Sequence, residues 1–202
     1  MDAFINGLII LPLKGMVKSI YETKRLIIRP WRKRDAIWLK KWGQDPDVAL
    51  PTGWKPVVSL FLALEMIATG YRKPWAFAIE EKESSKVIGS VSLMPESMGH
   101  FKLKKDEMEI GYWIGKPFWG QGFMGEALES IFDDLFANNG IHRIYCICAA
   151  KNTQSIRVQE KLGFRYNKTE NIWQQGLNKS VLSHVSLLEK EDWRSYRERS
   201  AR

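Results

Sequence analysis

The stretch Gly120-Gln121-Gly122-Phe123-Met124-Gly125 spells G-x-G-x-x-G between a strand-like run, "EMEIGYWIG", and a helical one, "GEALESIFDDLFANNG". Glycines at the opening of a helix leave backbone N–H groups unpaired beside the positive end of the helix dipole, which is chemistry for a phosphate. A dinucleotide site asks for more. Its glycines follow the strand through one tight turn, and an acid about 20 residues later meets the ribose hydroxyls. Here Lys116-Pro117-Phe118-Trp119 intervene, and the next strand ends in Ala149-Ala150-Lys151-Asn152 without an acid. No Gly-Lys-Ser/Thr follows, so a Walker A loop fails too. Two readings remain: an anion site where Gly122 and Gly125 let a ligand approach the backbone, or a plain strand–helix connection.

Other reactive side chains are sparse. His100, His142 and His184 lie far apart without metal-ligand spacing, so no metal is expected. Cys146 and Cys148, two apart on a strand, point to the same face and make poor disulfide partners. They read as small buried hydrophobes, which suits a reducing cytoplasm.

The elements that position these residues follow from periodicity and turn chemistry. "TKRLIIRPW" reads as a first strand, and "KRDAIWLKKWGQDPD" as a helix with Ala36, Leu39 and Trp42 on one face. A second helical stretch, "VVSLFLALEMIATG", stops at Gly70. "PWAFAIEEK" and "KVIGSVSLM" are hairpin strands about the polar "EKESS". Ala127, Leu128, Ile131 and Leu135 make the apolar stripe of the helix after the glycines. "IHRIYCICAA" has the continuous apolar character of a strand buried on both faces. A helix starting at Asn152 and stopping at Gly163 follows, and then a hairpin turning near 176–179. No repeat or linker divides the chain, so the expectation is one mixed α/β domain.

The 202 residues carry a formal net charge of +8, with 45% hydrophobic and 27% charged residues, an ordinary globular composition. "LIILPL" is too short to span a bilayer, and Asp2 with no basic flank argues against a signal peptide. The charge is uneven: residues 1–41 hold ten basic and three acidic side chains. Such a segment either attracts acidic partners or is a solvated surface. No basic or aromatic motif for nucleic acid accompanies it.

"EIGYWIGKPFWGQGFMGEA" followed by "IHRIYCICAAKNTQSIRVQEKLGF" closely resembles the GNAT N-acetyltransferases, and within them the branch of ribosomal-protein N-terminal acetyltransferases. "ETKRLIIRPWRKRDA" and "SHVSLLEKEDW" fit the same branch, so four blocks in order cover about Tyr21 to Trp193. The resemblance implies a single GNAT-like domain at 21–193, with an N-terminal extension at 1–20, loose or peripheral, and a basic tail at 194–202. It implies a mixed, mostly antiparallel sheet of about seven strands flanked by helices.

The family's pyrophosphate loop, Q/R-x-x-G-x-G/A, falls on Gln121, Gly122, Phe123, Met124, Gly125 and Glu126, with Met124 and Glu126 departing from the superfamily pattern. The resemblance places the phosphates of coenzyme A there and lines the thioester with Trp113 and Ile114. It makes Glu109 the candidate base, with Glu96 and Glu107 as fallbacks. Gln159 stands where a catalytic Tyr often lies, and Ser155 matches the Ser that serves the ribosomal-type branch as acid. A helix-opening residue bonding the backbone is the bland alternative for Ser155. Asn152 both starts its helix and is a candidate pantetheine contact. Trp54 and Tyr112 are the acceptor-side candidates, whereas Trp38 and Trp42, four apart on a helix, read as core.

The implied function is acetyl-CoA-dependent N-acetyl transfer, directly to a primary amine on a protein N-terminus or a small molecule. The alternative is a GNAT-fold acyl-CoA-binding or regulatory protein that has lost its chemistry. A cytoplasmic protein without membrane or nucleic-acid partners is expected, with homodimerisation left open.

Overall fold

The computed structural model describes residues 17–71, 73, 75–96 and 98–200. The expected extension at 1–20 lies outside the described residues as far as residue 16. One eight-stranded sheet organises the chain: β1 (Tyr21–Glu22), β2 (Leu26–Pro30), β3 (Ala76–Glu81), β4 (Lys86–Pro95), β5 (Glu107–Ile114), β6 (Arg143–Ala149), β7 (Arg165–Gln174) and β8 (Lys179–Glu189). Their spatial order is β1-β2-β3-β4-β5-β6-β8-β7. Every neighbouring pair is antiparallel except β5 and β6. The eighth strand, beyond the seven or so expected, is the two-residue β1, too short to show a period.

Helices cover both faces. α1 (Ala36–Gly43), α2 (Pro46–Ala49) and α3 (Leu60–Met66) lie on one side, α3 running into a π-turn at Ile67–Tyr71. A cluster of Trp31, Leu39, Val57, Ala63, Ala78, Val87 and Trp113 is buried there. On the other side α4 (Phe123–Asn138) sets Ala127, Leu128, Ile131 and Leu135 against Phe77, Ile79, Ile110, Ile144 and Leu188. β3 shows why its run is apolar throughout: Phe77 and Ile79 enter one cluster and Ala78 the other.

α5 (Thr153–Lys161) precedes the β7–β8 hairpin, and α6 (Lys190–Ser200) closes the chain. α6 amends the boundary expected at 193. Residues 194–200 are helix, with Trp193 buried and Tyr196 packed against the core. Their polar composition hides this, since only the i, i+3 pair Trp193 and Tyr196 faces inward.

The parallel pair creates the feature that matters for function. Joining β5 to β6 in parallel needs a crossover, which α4 supplies. The two strands pair only over Glu107–Ile110 and Arg143–Cys146. Beyond that point Gly111–Ile114 and Ile147–Ala149 diverge, leaving a wedge in the sheet.

Candidate active site

The edge of β5 facing the wedge can be assigned from its other edge. Gly115 N–H donates to Ile88 O at 2.8 Å. In an antiparallel ladder the polar backbone then alternates, so Trp113 and Gly111 also face β4 while Tyr112 and Ile114 face the wedge. The Ile114 carbonyl accepts the Trp119 indole N–H at 2.8 Å. Ile114 thus offers its N–H to the wedge, whereas Trp113, the other expected thioester residue, turns its backbone to β4 and buries its indole among the α1–α3 cluster.

The glycine loop opens onto the same wedge. Gly120 and Gly122 have φ of +73° and +77°, the left-handed region that a Cβ disfavours by about 1–2 kcal/mol. Gly122 is the N-cap of α4, and the first intrahelical bond runs from Glu126 N–H to Gly122 O at 3.0 Å. Phe123, Met124 and Gly125 are left with N–H groups that the helix does not use. Met124 is buried in the core, so its departure from the family pattern removes no donor. Gly125 has no atom within 4 Å of where a Cβ would stand.

The remaining two loop positions play other parts. Gln121 turns its side chain back to donate to Pro117 O at 2.7 Å. Glu126 spends its N–H in the helix, and its carboxylate receives Thr23 Oγ1 at 2.5 Å, Arg25 N–H at 2.9 Å and Arg25 Nε at 2.6 Å. Burial opposes the charge on Glu126, but these donors hold its carboxyl below its ordinary value. Arg25 also donates to Gln121 O at 3.0 Å and lies 4.1 Å over the Phe123 ring. Arg25 therefore braces the loop from β1–β2, a role that no local signal in the sequence announces.

Across the wedge, Asn152 Oδ1 accepts Ser155 N–H at 3.1 Å and starts α5. Ser155 Oγ lies 2.9 Å from the Tyr112 hydroxyl and accepts Gln159 Nε2 at 3.0 Å. Ser186 Oγ holds the Gln159 carbonyl in turn. Burial pushes the Tyr112 phenol well above its ordinary value, so it stays protonated. Tyr112, expected on the acceptor side, thus directs its hydroxyl at α5.

At the far end Glu109 is buried, its oxygens 2.7 Å from His100 N and 2.6 Å from His100 Nδ1. Trp54 meets Trp113 edge-on at 6.2 Å, and Trp113 Nε1 donates to Tyr71 OH at 3.1 Å. Burial raises the Tyr71 phenol to about 12. Trp38 and Trp42 stack with ring centroids 6.1 Å apart, and neither lines the groove. Glu107 instead pairs with Arg143 at 3.1 Å, and neither it nor Glu96 lines the groove. A single cavity of about 740 Å³ joins the loop, the wedge, Ser155, Glu109 and Trp54. Among the described residues no group of three His, Cys, Asp or Glu could hold a metal, and no helix is long and apolar enough to cross a membrane.

Comparison with protein families finds one matching model. The acetyltransferase (GNAT) domain matches residues 25–165. The chain belongs to the GNAT acetyltransferase family. Among its relatives is the uncharacterized N-acetyltransferase p20 of Bacillus licheniformis, 28% identical over 154 residues, 74% of this chain and 83% of that protein. The [ribosomal protein uS5]-alanine N-acetyltransferase of Escherichia coli is 25% identical over 156 residues, 70% of this chain and 76% of its own. The structure of Mycobacterium smegmatis RimJ in complex with CoA-disulfide shares the fold, with a TM-score of 0.65 at 18% identity, over 92% of this chain and 94% of the other. The GNAT chain is thus an acyltransferase, and its groove is the place to look for that chemistry.

Proposed function

We propose that this GNAT protein transfers the acetyl group of acetyl-CoA directly to a primary amine. The observation that carries the reading is the run of unused N–H groups at Phe123, Met124 and Gly125, opening on the groove that also holds the wedge and Ser155. Those three donors and the α4 dipole suit the pyrophosphate, and the open space at Gly125 admits it. The free edge of β5 at Tyr112 and Ile114 suits the amide-bearing pantetheine arm, with Asn152 beside it. When bound, acetyl-CoA supplies an activated acyl group on a thiol leaving group.

The chain's own groups supply the rest. Ser155, set between Tyr112 and Gln159, is the proton donor at the leaving-group end. The Glu109–His100 pair is the proton-accepting end. Trp54, Tyr71 and Trp113 form the aromatic wall beside it, and bury the acceptor's body while its amine points inward. The E. coli relative's activity on a ribosomal-protein alanine makes a peptide with an N-terminal alanine the first acceptor to try.

Isothermal titration with acetyl-CoA, followed by a free-thiol assay across Ala- and Ser-starting octapeptides, polyamines and amino sugars, tests the reading. Binding and thiol release with at least one amine are expected. An absence of binding overturns it. Binding without release to any acceptor would make this an acyl-CoA-binding protein instead.

A further inference from the structure

Glu109 is poorly placed to take a proton from an incoming amine itself. Its side chain is 1% exposed, and both oxygens are engaged by one residue. His100 Nδ1 meets Oε1 at 2.6 Å, and His100 N–H meets Oε2 at 2.7 Å. Gly99 closes over the carboxylate, so tightly that a Cβ there would overlap Oε2. The carboxylate nonetheless has a consequence for its neighbour. A carboxylate only accepts, so the bonded Nδ1 carries the hydrogen and the lone pair of neutral imidazole is at Nε2. His100 is 30% exposed and lines the groove together with Trp54, Trp113 and Gln174.

We propose that His100 takes the proton from the acceptor amine, and that Glu109 acts through His100 as a positioning residue. The proposal rests on the acetyl-transfer reading above and names the base of that same site. A buried carboxylate fixing the tautomer and orientation of a half-exposed imidazole is the arrangement by which other hydrolytic and acyl-transfer sites make a histidine an effective base. The groups around His100 favour its charged form. Glu109 on β5 raises the imidazole above its ordinary value, burial opposes this, and Gln174 on β7 adds to the rise. Behind Glu109, the Cys146 thiol on β6 is kept neutral by burial.

The proton balance is closed. Starting from the neutral amine, the acceptor nitrogen forms the C–N bond as the thioester C–S bond breaks. The N–H proton passes to His100 Nε2, and the thiolate takes the Ser155 Oγ proton. Solvent then restores both residues, His100 releasing one proton and Ser155 recovering one.

The test compares wild type, His100→Gln, His100→Ala and Glu109→Gln with acetyl-CoA saturating and the fastest amine of the panel as acceptor. The His100 variants are expected to lose about 100-fold or more in kcat with unchanged acetyl-CoA affinity, and added imidazole restores part of the rate to His100→Ala. Glu109→Gln keeps more activity than either. Its acid limb of kcat/KM moves to lower pH, because the imidazole loses the carboxylate that raised it. An NMR titration of the three histidines, His100 being assigned by its absence in His100→Gln, shows the same downward move without any acceptor. If Glu109→Gln is dead while both His100 variants stay within about twofold of wild type, Glu109 is itself the base and the proposal falls. An unmoved His100 titration in Glu109→Gln overturns it equally. Binding of acetyl-CoA with no amine acetylated by wild type sinks the transfer reading first and this proposal with it. Thermal melts confirm that the variants compared are folded.

Discussion

The Tyr112 hydroxyl and Ser155 Oγ meet at 2.9 Å across the wedge, and Gln159 Nε2 donates to the same Oγ at 3.0 Å. Either hydroxyl can donate in this pair, and in the arrangement where Tyr112 and Gln159 both donate, Ser155 keeps its own proton for a leaving group. Ser155→Ala is therefore expected to lower kcat by about tenfold or more with acetyl-CoA affinity roughly intact, since a leaving-group acid acts mainly in the transition state. Tyr112→Phe should lose less. A change within about twofold in Ser155→Ala, under 0.5 kcal/mol of barrier, would make Ser155 a structural residue only.

Gly125 and Gly122 should fail in different ways. Gly125 has open space where a side chain would go, so Gly125→Val should fold normally and weaken acetyl-CoA binding by filling the phosphate side of the groove. Gly122 sits at φ +77°, which proline cannot adopt, so Gly122→Pro should disturb the start of α4 as well as binding. Titration calorimetry beside thermal melts separates the two. Wild-type affinity in Gly125→Val would remove the loop from the site.

Asp134 gives the fold an acid-sensitive clasp. Its carboxylate accepts Tyr21 OH at 2.9 Å and Asn138 Nδ2 at 2.9 Å. Burial pushes its carboxyl up, but Asn138, Tyr21 and Lys18 together hold it below the ordinary value. A depressed carboxyl contributes stability that is present above its unfolded pKa of about 3.9 and is lost as pH falls through the folded value. Asp134→Asn should thus be less stable than wild type by about 1–3 kcal/mol at pH 7, from lost charged hydrogen bonds. The gap in melting temperature should narrow below about pH 4, and a gap constant from pH 7 to pH 3 would refute the assignment.

The basic N-terminal segment is expected to be inert in catalysis. Arg32, Lys33 and Arg34 are exposed and do not line the groove. With acetyl-CoA saturating, reversing these three charges should leave kcat/KM for an acidic acceptor within about twofold. The salt response should be flat, because screening, which acts over about 8–10 Å at 0.1–0.15 M, changes only a rate to which those charges contribute. A steep fall with salt, reproduced by charge reversal, would mean that the segment guides an acidic acceptor.

The elements themselves were legible because their signals are local. Alternation with a polar turn marks β3 and β4, the stripe from Ala127 to Leu135 marks α4, and Asn152 marks the start of α5. The same local reasoning set aside a dinucleotide site, because that test depends only on the four residues before the glycines and on the end of the next strand. The short β1 and the polar α6 escaped it, the first having no period and the second showing a single apolar pair.

What the sequence by itself determined was the inventory: a mixed α/β domain, a glycine-opened helix, and carboxylate and hydroxyl side chains in the blocks that line a groove. Only the tertiary structure decided which of them meet. Arg25 braces Glu126 from 101 residues away, and Tyr112 finds Ser155 from 43 away. Glu109 is close in sequence to His100, yet no helical or strand period joins them, and the turn of residues 98–106 sets their contact. The Tyr112–Ser155 pairing follows from placing β5 beside β6 in parallel and covering the wedge with α5. Periodicity reports which way a side chain faces along its own element, and it contains no term for what another element brings to that face.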